Sequence, residues 1–289
     1  MNNYFIKLQV SLLLLVVLSS LNSFTQGSAN TAALENRWQT SEVLTTAESV
    51  CFNPELNLLY VSCINGNPAQ KDGNGFISVL SLNGEVKNQK WIDGLNAPKG
   101  MGIFRSKLYV TDIDRVVEID IKDSKITSEI KVEGAKFLND IAVDNEGNLF
   151  VSDNITGKIH KVHNGVAGTW IESKELQSPN GLFYENGEIL VGTNIGILQI
   201  RLTDKHVSNL VSIQGGIDGL KGDGKGNYLI SDWNGKIQLV GSKIKPVVLM
   251  DTSPDNINAA DFEFLPRKNM LFVPTFSNNR VIAYELIYK

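Results

Sequence analysis

The sequence contains six copies of one unit, and this repetition constrains the fold more than any single motif. Each unit opens on a polar residue, continues into a short apolar run, turns, and enters a second apolar run. The opening residues are 51, 40, 41, 38 and 43 positions apart, and they are Glu48, Lys99, Asn139, Asn180, Asp218 and Asp261. Units of short strands at a period of roughly 40 to 50 residues are typical of propeller blades.

The pattern inside each unit predicts strands throughout. A turn such as Asp144–Asn148 separates the two apolar runs, and a third run, such as Lys158–Val162, alternates apolar and polar residues. No long stretch has helical periodicity, so the chain is predicted to be all-β. We therefore predict a six-bladed β-propeller, with four-stranded antiparallel blades around a central channel, as one domain spanning residues 26–289. The strand-like segment Arg37–Val43 precedes the first unit and is predicted to complete the last blade.

The first 25 residues differ in character from the rest. Lys7 is their only charged side chain, the apolar run Ser11–Leu18 follows it, and small polar residues continue to Thr25. This order predicts a secretory signal peptide cleaved before Gln26. An uncleaved membrane anchor is the alternative, but the run is shorter than the ~20 residues that span a bilayer. The protein is therefore expected to be secreted or periplasmic, with no membrane attachment after cleavage.

Composition narrows the class of partner. The chain is 42% hydrophobic and 20% charged, with a formal net charge of -4 and no basic run. These values exclude a disordered chain, and the absence of a basic run argues against nucleic acid as a partner. The oligomeric state is left open. Cys51 and Cys63 lie about three residues out of register in the predicted first hairpin, ~10 Å apart along the strand, and are therefore predicted to be free buried thiols.

The first strand of a propeller blade lines the channel, so the six opening residues are predicted to form a ring. Glu48, Asn139, Asn180 and Asp218 would direct two carboxylates and two amide oxygens at one region, a donor set that suits Ca²⁺. The ring contains no cysteine or histidine, which argues against zinc or copper. The alternative is a wet polar channel whose side chains bind only water.

Another set of polar residues recurs for a different reason. Three aspartates each follow a second strand directly, and this recurrence favours turn-capping hydrogen bonds over a catalytic role. They are Asp112, Asp153 and Asp232.

The ring residues and their neighbours carry a family resemblance. Glu48, Asn139-Asp140, Pro179-Asn180-Gly181 and Asp218-Gly219 resemble the gluconolactonase family, which includes regucalcin (senescence marker protein), and more distantly diisopropyl fluorophosphatase and the paraoxonases. The resemblance covers residues ~45 to 286.

That resemblance implies one divalent cation, usually Ca²⁺, held by Glu48, Asn180 and Asp218, with Asn139 as a further ligand or a substrate contact. It also implies a small-molecule substrate, a lactone or ester, with Asp218 as the general base or nucleophile in its hydrolysis.

Two positions depart from the family. Phe137 stands where the related lactonases place an arginine that holds sugar hydroxyls, and Lys99 puts a cation in the ring. We predict that Lys99 pairs with Asp261, leaving the calcium site intact, and that both contact substrate together with Asn139. The alternative is that this ion pair replaces the metal.

The remaining features carry weaker predictions. The three histidines are expected at the surface, His160 and His163 on a third strand and His206 in a loop. The segment Asn65–Gly75 lengthens the first unit and is expected to be a flexible insertion, with a lid over the channel as the alternative.

Three functions remain open. The first is an exported, Ca²⁺-dependent hydrolase of lactones or related esters with Asp218 as the catalytic residue. The second is a non-catalytic propeller, similar to NHL-repeat proteins, that binds a protein or glycan. The third is a propeller whose calcium ion only braces the channel.

Overall fold

A computed structural model describes residues 32–288, and the predicted signal peptide lies outside this range. Strands account for nearly all of the regular structure. Each sheet has four antiparallel strands, and three residues, Ser253–Asp255, form a short 3-10 helix. No helix in residues 32–288 has the length and hydropathy needed to cross a membrane.

The 24 strands are assigned to blades in chain order, except that the first strand belongs to the last blade. Their bounds are as follows: blade 1, β2 Ala47–Asn53, β3 Leu58–Cys63, β4 Gly75–Ser81, β5 Val86–Leu95; blade 2, β6 Pro98–Phe104, β7 Lys107–Asp112, β8 Arg115–Asp120, β9 Lys125–Lys131; blade 3, β10 Leu138–Val143, β11 Leu149–Asp153, β12 Lys158–His163, β13 Val166–Glu172; blade 4, β14 Leu182–Glu185, β15 Glu188–Thr193, β16 Gly196–Arg201, β17 Val207–Ser212; blade 5, β18 Leu220–Gly222, β19 Tyr228–Ser231, β20 Lys236–Gly241, β21 Ile244–Asp251; blade 6, β22 Glu263–Leu265, β23 Met270–Pro274, β24 Val281–Tyr288, β1 Ala32–Gln39.

The six blades close into a ring, so the predicted six-bladed β-propeller is confirmed. The innermost strand of each blade contacts that of the next, and β22 of blade 6 contacts β2 of blade 1. The last blade is completed by β1, which pairs with β24. The predicted closing segment was right in kind and wrong in its bounds, because the strand spans Ala32–Gln39 rather than Arg37–Val43.

The core is divided among the blade interfaces. Each of six apolar clusters draws its side chains from two neighbouring blades, as the repeating Val and Ile positions of the second strands require. Between blades 6 and 1, for example, Val61 packs near Phe272 and Val281. Sheets that pack face to face around an axis leave the first residues of each inner strand at one end of the channel.

The first hairpin has the predicted register. Cys51 pairs with Tyr60, and Cys63 pairs with Ala47, so the two cysteines are not opposite each other. Both are free and buried. Burial raises the pKa of the Cys63 thiol to about 12, and the same effect raises that of Cys51 further. These thiols are therefore unreactive core residues.

Candidate active site

The six ring residues lie at one end of the channel, here called the mouth. Each sits at or just before the start of an inner strand, and the loops between second and third strands reach the same end. Five of the six are buried and Asn180 is half-buried. Gly181 allows blades 4 and 5 to approach closely here, since a Cβ at this position would lie 2.2 Å from the Asp218 carbonyl oxygen.

Three ring carboxylates interact across the mouth. Burial, followed by the charges of Asp218 and Asp261, raises the pKa of Glu48 well above its usual value. Burial and Asp261 raise the pKa of Asp218 to about 7. The Asn180 side chain donates a hydrogen bond from Nδ2 to Asp218 Oδ1 over 2.8 Å, which fixes the orientation of that carboxylate. The structure thus brings Glu48, Asn180, Asp218 and Asp261 together.

Four ring oxygens are buried and have no hydrogen-bond partner among the described residues. They are Glu48 Oε2, Asn139 Oδ1, Asn180 Oδ1 and Asp261 Oδ1. A buried unpaired acceptor costs about 1 to 3 kcal/mol, and more when it is charged. Four of them at one mouth require a donor, water or a cation. Carboxylate and amide oxygens are the ligands that Ca²⁺ takes, so the residues present fit that ion.

The channel also holds more carboxyl groups than its own lysines can pair. Glu48, Asp218 and Asp261 are joined by Asp140 and Glu263, and burial is the largest cause of a raised pKa at each of these five carboxyl groups. The cations that face them are Lys99 and Lys221. A divalent cation would balance most of the excess. Among residues 32–288, however, no three His, Cys, Asp or Glu side chains converge in a metal-binding arrangement, so a metal site here depends on the two amides.

Lys99 does not pair with Asp261, and this prediction was wrong. Its Nζ donates to the carbonyl oxygens of Pro68 and Ala97, at 3.0 and 3.1 Å, and lies 4.3 Å from the Phe137 ring centroid. Burial, opposed in part by Glu48, lowers the pKa of Lys99 to about 8. Two carbonyls and an aromatic face therefore satisfy the ammonium at the rim. The two hydrogen bonds occupy two of its three N–H donors.

The cation that faces Asp261 is Lys221 on β18, which the sequence analysis missed. Although burial opposes it, the carboxylates of Asp261, Asp140 and Glu263 hold the pKa of Lys221 above its usual value. Asp261 also accepts a hydrogen bond from Ser49 Oγ at 2.5 Å. A signal was available in the repeats. Three positions after each ring residue the other blades have Cys51, Gly102, Ala142, Phe183 and Phe264, so a lysine at this position stands out.

Two further carboxylates, the buried Asp140 and the half-buried Glu263, join neighbouring inner strands. Asp140 accepts the N–H groups of Ile141 and Leu182, each at 2.7 Å, and so links blades 3 and 4. Glu263 accepts the N–H of Phe52 at 3.1 Å, which links blades 6 and 1. Both acidic groups serve the closure of the ring.

The recurring aspartates have the predicted capping role. Asp112 accepts the N–H of Ala97 at 2.7 Å, and Asp153 accepts the N–H of Lys136 at 2.9 Å. Asp232 accepts the N–H of Gly235 at 3.1 Å.

One histidine prediction was wrong. His163 and His206 are exposed, but His160 is buried, because its strand β12 packs inside blade 3. Its Nε2 lies 3.7 Å from Asp153 Oδ2. Burial works against ionisation of Asp153, yet the nearby His160 ring and hydrogen bonds from backbone N–H groups hold its pKa well below the usual value. His160 therefore supports a capping carboxylate.

A cavity opens at the mouth beside blades 4 and 5. It has a volume of about 160 Å³, and both Asn180 and Asp218 line it. Trp233 lines it on one side and also borders a second, wider depression of about 650 Å³ toward blade 6. Asp218 is thus buried but reachable from the mouth.

The insertion between β3 and β4 lies on the mouth side of blades 1 and 2. Pro68 accepts the hydrogen bond from Lys99, Lys71 Nζ lies 2.5 Å from Asp114 Oδ2, and Asn65 bonds to Asn74. These contacts hold the segment over the part of the ring that contains Lys99. The segment was expected to be a flexible insertion, with a lid over the channel as the alternative, and both stay predictions. Its residues 64–74 are here called the mouth loop.

Comparison with known proteins supports the architecture. No protein-family model and no curated protein matches the sequence. Among solved structures, a catalytically inactive histidine-to-alanine variant of virginiamycin B lyase from Staphylococcus aureus, bound to quinupristin, aligns with a TM-score of 0.61 and 14% identity, covering 89% of this chain and 99% of that one. A streptogramin B lyase aligns with a TM-score of 0.62 and 11% identity, covering 90% and 98%. At such identities the likeness extends to the fold: the chain is a six-bladed β-propeller.

Proposed function

We propose that this chain is an exported, Ca²⁺-dependent hydrolase of lactones or related esters whose active site is the channel mouth. The observation that carries the proposal is the set of buried, unpaired oxygens of Glu48, Asn139 and Asn180 beside the Asp218 carboxylate. These four residues would hold the ion. Bound there, Ca²⁺ supplies positive charge that polarises the substrate carbonyl and stabilises the oxyanion formed from it.

Asp218 is the proposed general base. Its Oδ1 accepts the Asn180 hydrogen bond, which leaves Oδ2 to accept a proton from water. The water oxygen then bonds to the carbonyl carbon, the acyl–oxygen bond breaks, and the proton passes from Oδ2 to the leaving oxygen. A lactone and one water thereby become one hydroxy acid. Without the ion, burial and Asp261 raise the pKa of Asp218 to about 7; a bound Ca²⁺ would lower that pKa and keep Asp218 ionised at neutral pH.

Of the predicted substrate contacts, we retain Asn139, whose Oδ1 is unpaired. Lys99 is better described as a positioning residue for the mouth loop, because two of its three donors bind the carbonyl oxygens of Pro68 and Ala97. Asp261 accepts a hydrogen bond from Ser49 and faces Lys221, so we propose that it balances the charge of Lys221 in the channel rather than contacting substrate.

The competing functions differ in their dependence on metal and on Asp218. A binding module for a protein or glycan needs neither, and the exposed Trp233 is the observation that favours it. A structural calcium site would stabilise the fold without hydrolysis. Lyase activity is less well supported, since the structural neighbour is inactivated by loss of a histidine and none of the six ring residues is one.

The test is hydrolysis of neutral lactones by the purified protein after chelator treatment, with and without millimolar Ca²⁺. We expect activity that needs Ca²⁺ and that falls at least ~100-fold in Asp218→Asn, which keeps the size of the side chain and removes its base. Asp93→Asn, an exposed aspartate change, is the matched control and should be fully active. Full activity of Asp218→Asn, or of the chelated protein, would refute the proposal.

Export is tested separately. Expression of the complete chain in a secreting host, followed by amino-terminal sequencing of the released protein, should give a chain beginning at Gln26. Release of an uncleaved chain, or retention in the membrane fraction, would contradict the signal-peptide assignment.

A further inference from the structure

Every blade carries an apolar residue in the mouth-side loop that joins its second and third strands. In blade order these are Ile64, Ile113, Ile155, Ile195, Trp233 and Phe276. The structure divides this apolar ring into two halves. Ile64 and Ile113 are buried in a cluster with Ala97, against which Phe276 packs. Ile155, Ile195 and Trp233 remain exposed, at 60%, 37% and 47%.

The division follows from loop length and from the mouth loop. The β3–β4 connection spans residues 64–74 and is tied across blades 1 and 2 by Lys99 and by the Lys71–Asp114 ion pair. The corresponding loops of blades 3, 4 and 5 are short, at residues 154–157, 194–195 and 232–235. One half of the apolar ring is therefore covered, and the other half is open.

The open half borders the candidate active site. The 160 Å³ cavity that reaches Asp218 is also lined by Trp233 and by Asn154 and Asn194, the neighbours of Ile155 and Ile195 in the chain. Trp233 is held rigidly, because its ring meets Phe276 edge-on at 5.3 Å and its carbonyl oxygen accepts a 3.0 Å hydrogen bond from Asn258. A fixed, half-exposed indole beside a reactive carboxylate is suited to holding a flat or branched apolar group.

We propose that the substrate is a neutral lactone or ester that bears an apolar alkyl or aryl substituent, which lies against Trp233 with Ile155 and Ile195 alongside. This specificity rests on the proposed hydrolase function. The cavity is lined by Asp218 and Asp232 and by no lysine or arginine among the described residues, which disfavours an anionic substituent. Phe137 beneath the mouth loop gives no donor for sugar hydroxyls, so a polyhydroxylated lactone is the disfavoured class.

The experiment compares three lactones: γ-butyrolactone, γ-nonalactone with its pentyl chain, and glucono-δ-lactone. For the calcium-loaded protein we expect kcat/KM for γ-nonalactone to exceed that for both others at least ~tenfold, as burial of a pentyl group allows. Trp233→Ala should lower kcat/KM for γ-nonalactone about tenfold, mainly through KM, and should lower that for γ-butyrolactone much less, because the smaller substrate lacks the pentyl group. Leu56→Ala is the matched control, since Leu56 is 52% exposed on the β2–β3 turn at the opposite end.

Equal effects of Trp233→Ala on both γ-lactones, or a preference for glucono-δ-lactone, would overturn the specificity and leave the hydrolase proposal standing. A binding measurement without turnover covers the opposite case, in which the apolar site exists but the protein is not a hydrolase. The γ-lactam of the same ring and pentyl chain should change the tryptophan fluorescence of the wild type and of Ile155→Ala, more weakly in the latter, and should leave Trp233→Ala unchanged. Binding of this lactam without hydrolysis of any lactone would refute the hydrolase and keep the apolar site. Absence of binding would refute the apolar site.

Discussion

Replacing Asp218 by asparagine should stabilise the calcium-free protein at alkaline pH. Asparagine has the same shape and can still accept the Asn180 hydrogen bond, but it carries no charge. In the native protein, burial and the neighbouring Asp261 raise the pKa of Asp218 from 3.8 to about 7. The folded state therefore holds this proton more tightly than the unfolded state. Its stabilising effect is complete below pH 3.8 and is lost as the pH rises through about 7.

The size of the effect follows from that shift. One pKa unit corresponds to about 1.36 kcal/mol, so ionisation of Asp218 costs the fold up to about 4 kcal/mol at pH 8. Part of this cost comes from the charge of Asp261. We therefore expect the free energy of unfolding of Asp218→Asn in chelator to exceed that of the wild type by about 2 to 4 kcal/mol. At about 2 to 4 °C per kcal/mol for a chain of this size, the midpoint should rise by roughly 4 to 16 °C. At pH 4 the two proteins should melt together.

Calcium should reduce or reverse the difference in unfolding midpoint between Asp218→Asn and the wild type. An ion at 100 times its dissociation constant adds about 2.7 kcal/mol to the wild type, and the variant, which lacks one ligand charge, should gain much less. The assay is thermal unfolding between pH 4 and pH 8, in chelator and in millimolar Ca²⁺, with Asp93→Asn as the control. A variant that is less stable than the wild type by the same amount with and without calcium would show that Asp218 is a structural hydrogen-bond acceptor, and the argument from excess charge would be wrong.

Two further predictions concern blade closure and the mouth loop. Gly84→Ala should lower the free energy of unfolding, measured in urea, by about 2 kcal/mol or more beyond the loss in the control variant Gly187→Ala. The two glycines have φ of +85° and +83°, so the backbone strain is the same. Only at position 84 would the new Cβ meet a ring, that of Trp38 at 2.6 Å. Equal losses would show that Trp38 moves freely aside. Lys99→Met should release the mouth loop and speed tryptic cleavage after Lys71 at least ~tenfold, whereas Lys136→Met, a surface change, should not; unchanged cleavage would mean that the loop holds itself in place.

The fold could be predicted from the sequence because the blade is a local unit. Each hairpin is specified by its own turn and its own alternation, as at Asp144, which accepts the N–H groups of Glu146 and Asn148. Six such units at one period leave a ring as the natural way to cover every sheet. The repeat also separated the capping aspartates from the varying channel residues, because residues that serve the architecture recur in the blades.

The candidate site could be predicted only in part. The ring positions were correct, since one repeat position maps to one level of the channel. The partners predicted for the charged side chains were wrong. Lys99 donates to the carbonyl oxygens of Pro68 and Ala97, and Asp261 faces Lys221. The direction of a long flexible side chain depends on which carbonyls and rings lie within its reach, and these come from loops distant in the sequence.

The sequence by itself determined the blades, their number, their order and the six residues presented to the mouth, because each of these depends on local pattern repeated at a fixed period. Tertiary structure alone decided which acceptors remain unpaired, how far burial shifts each carboxyl group, and which half of the apolar ring the mouth loop covers. Those properties depend on distances across the channel and on solvent exclusion, and neither exists until the sixth blade closes on the first.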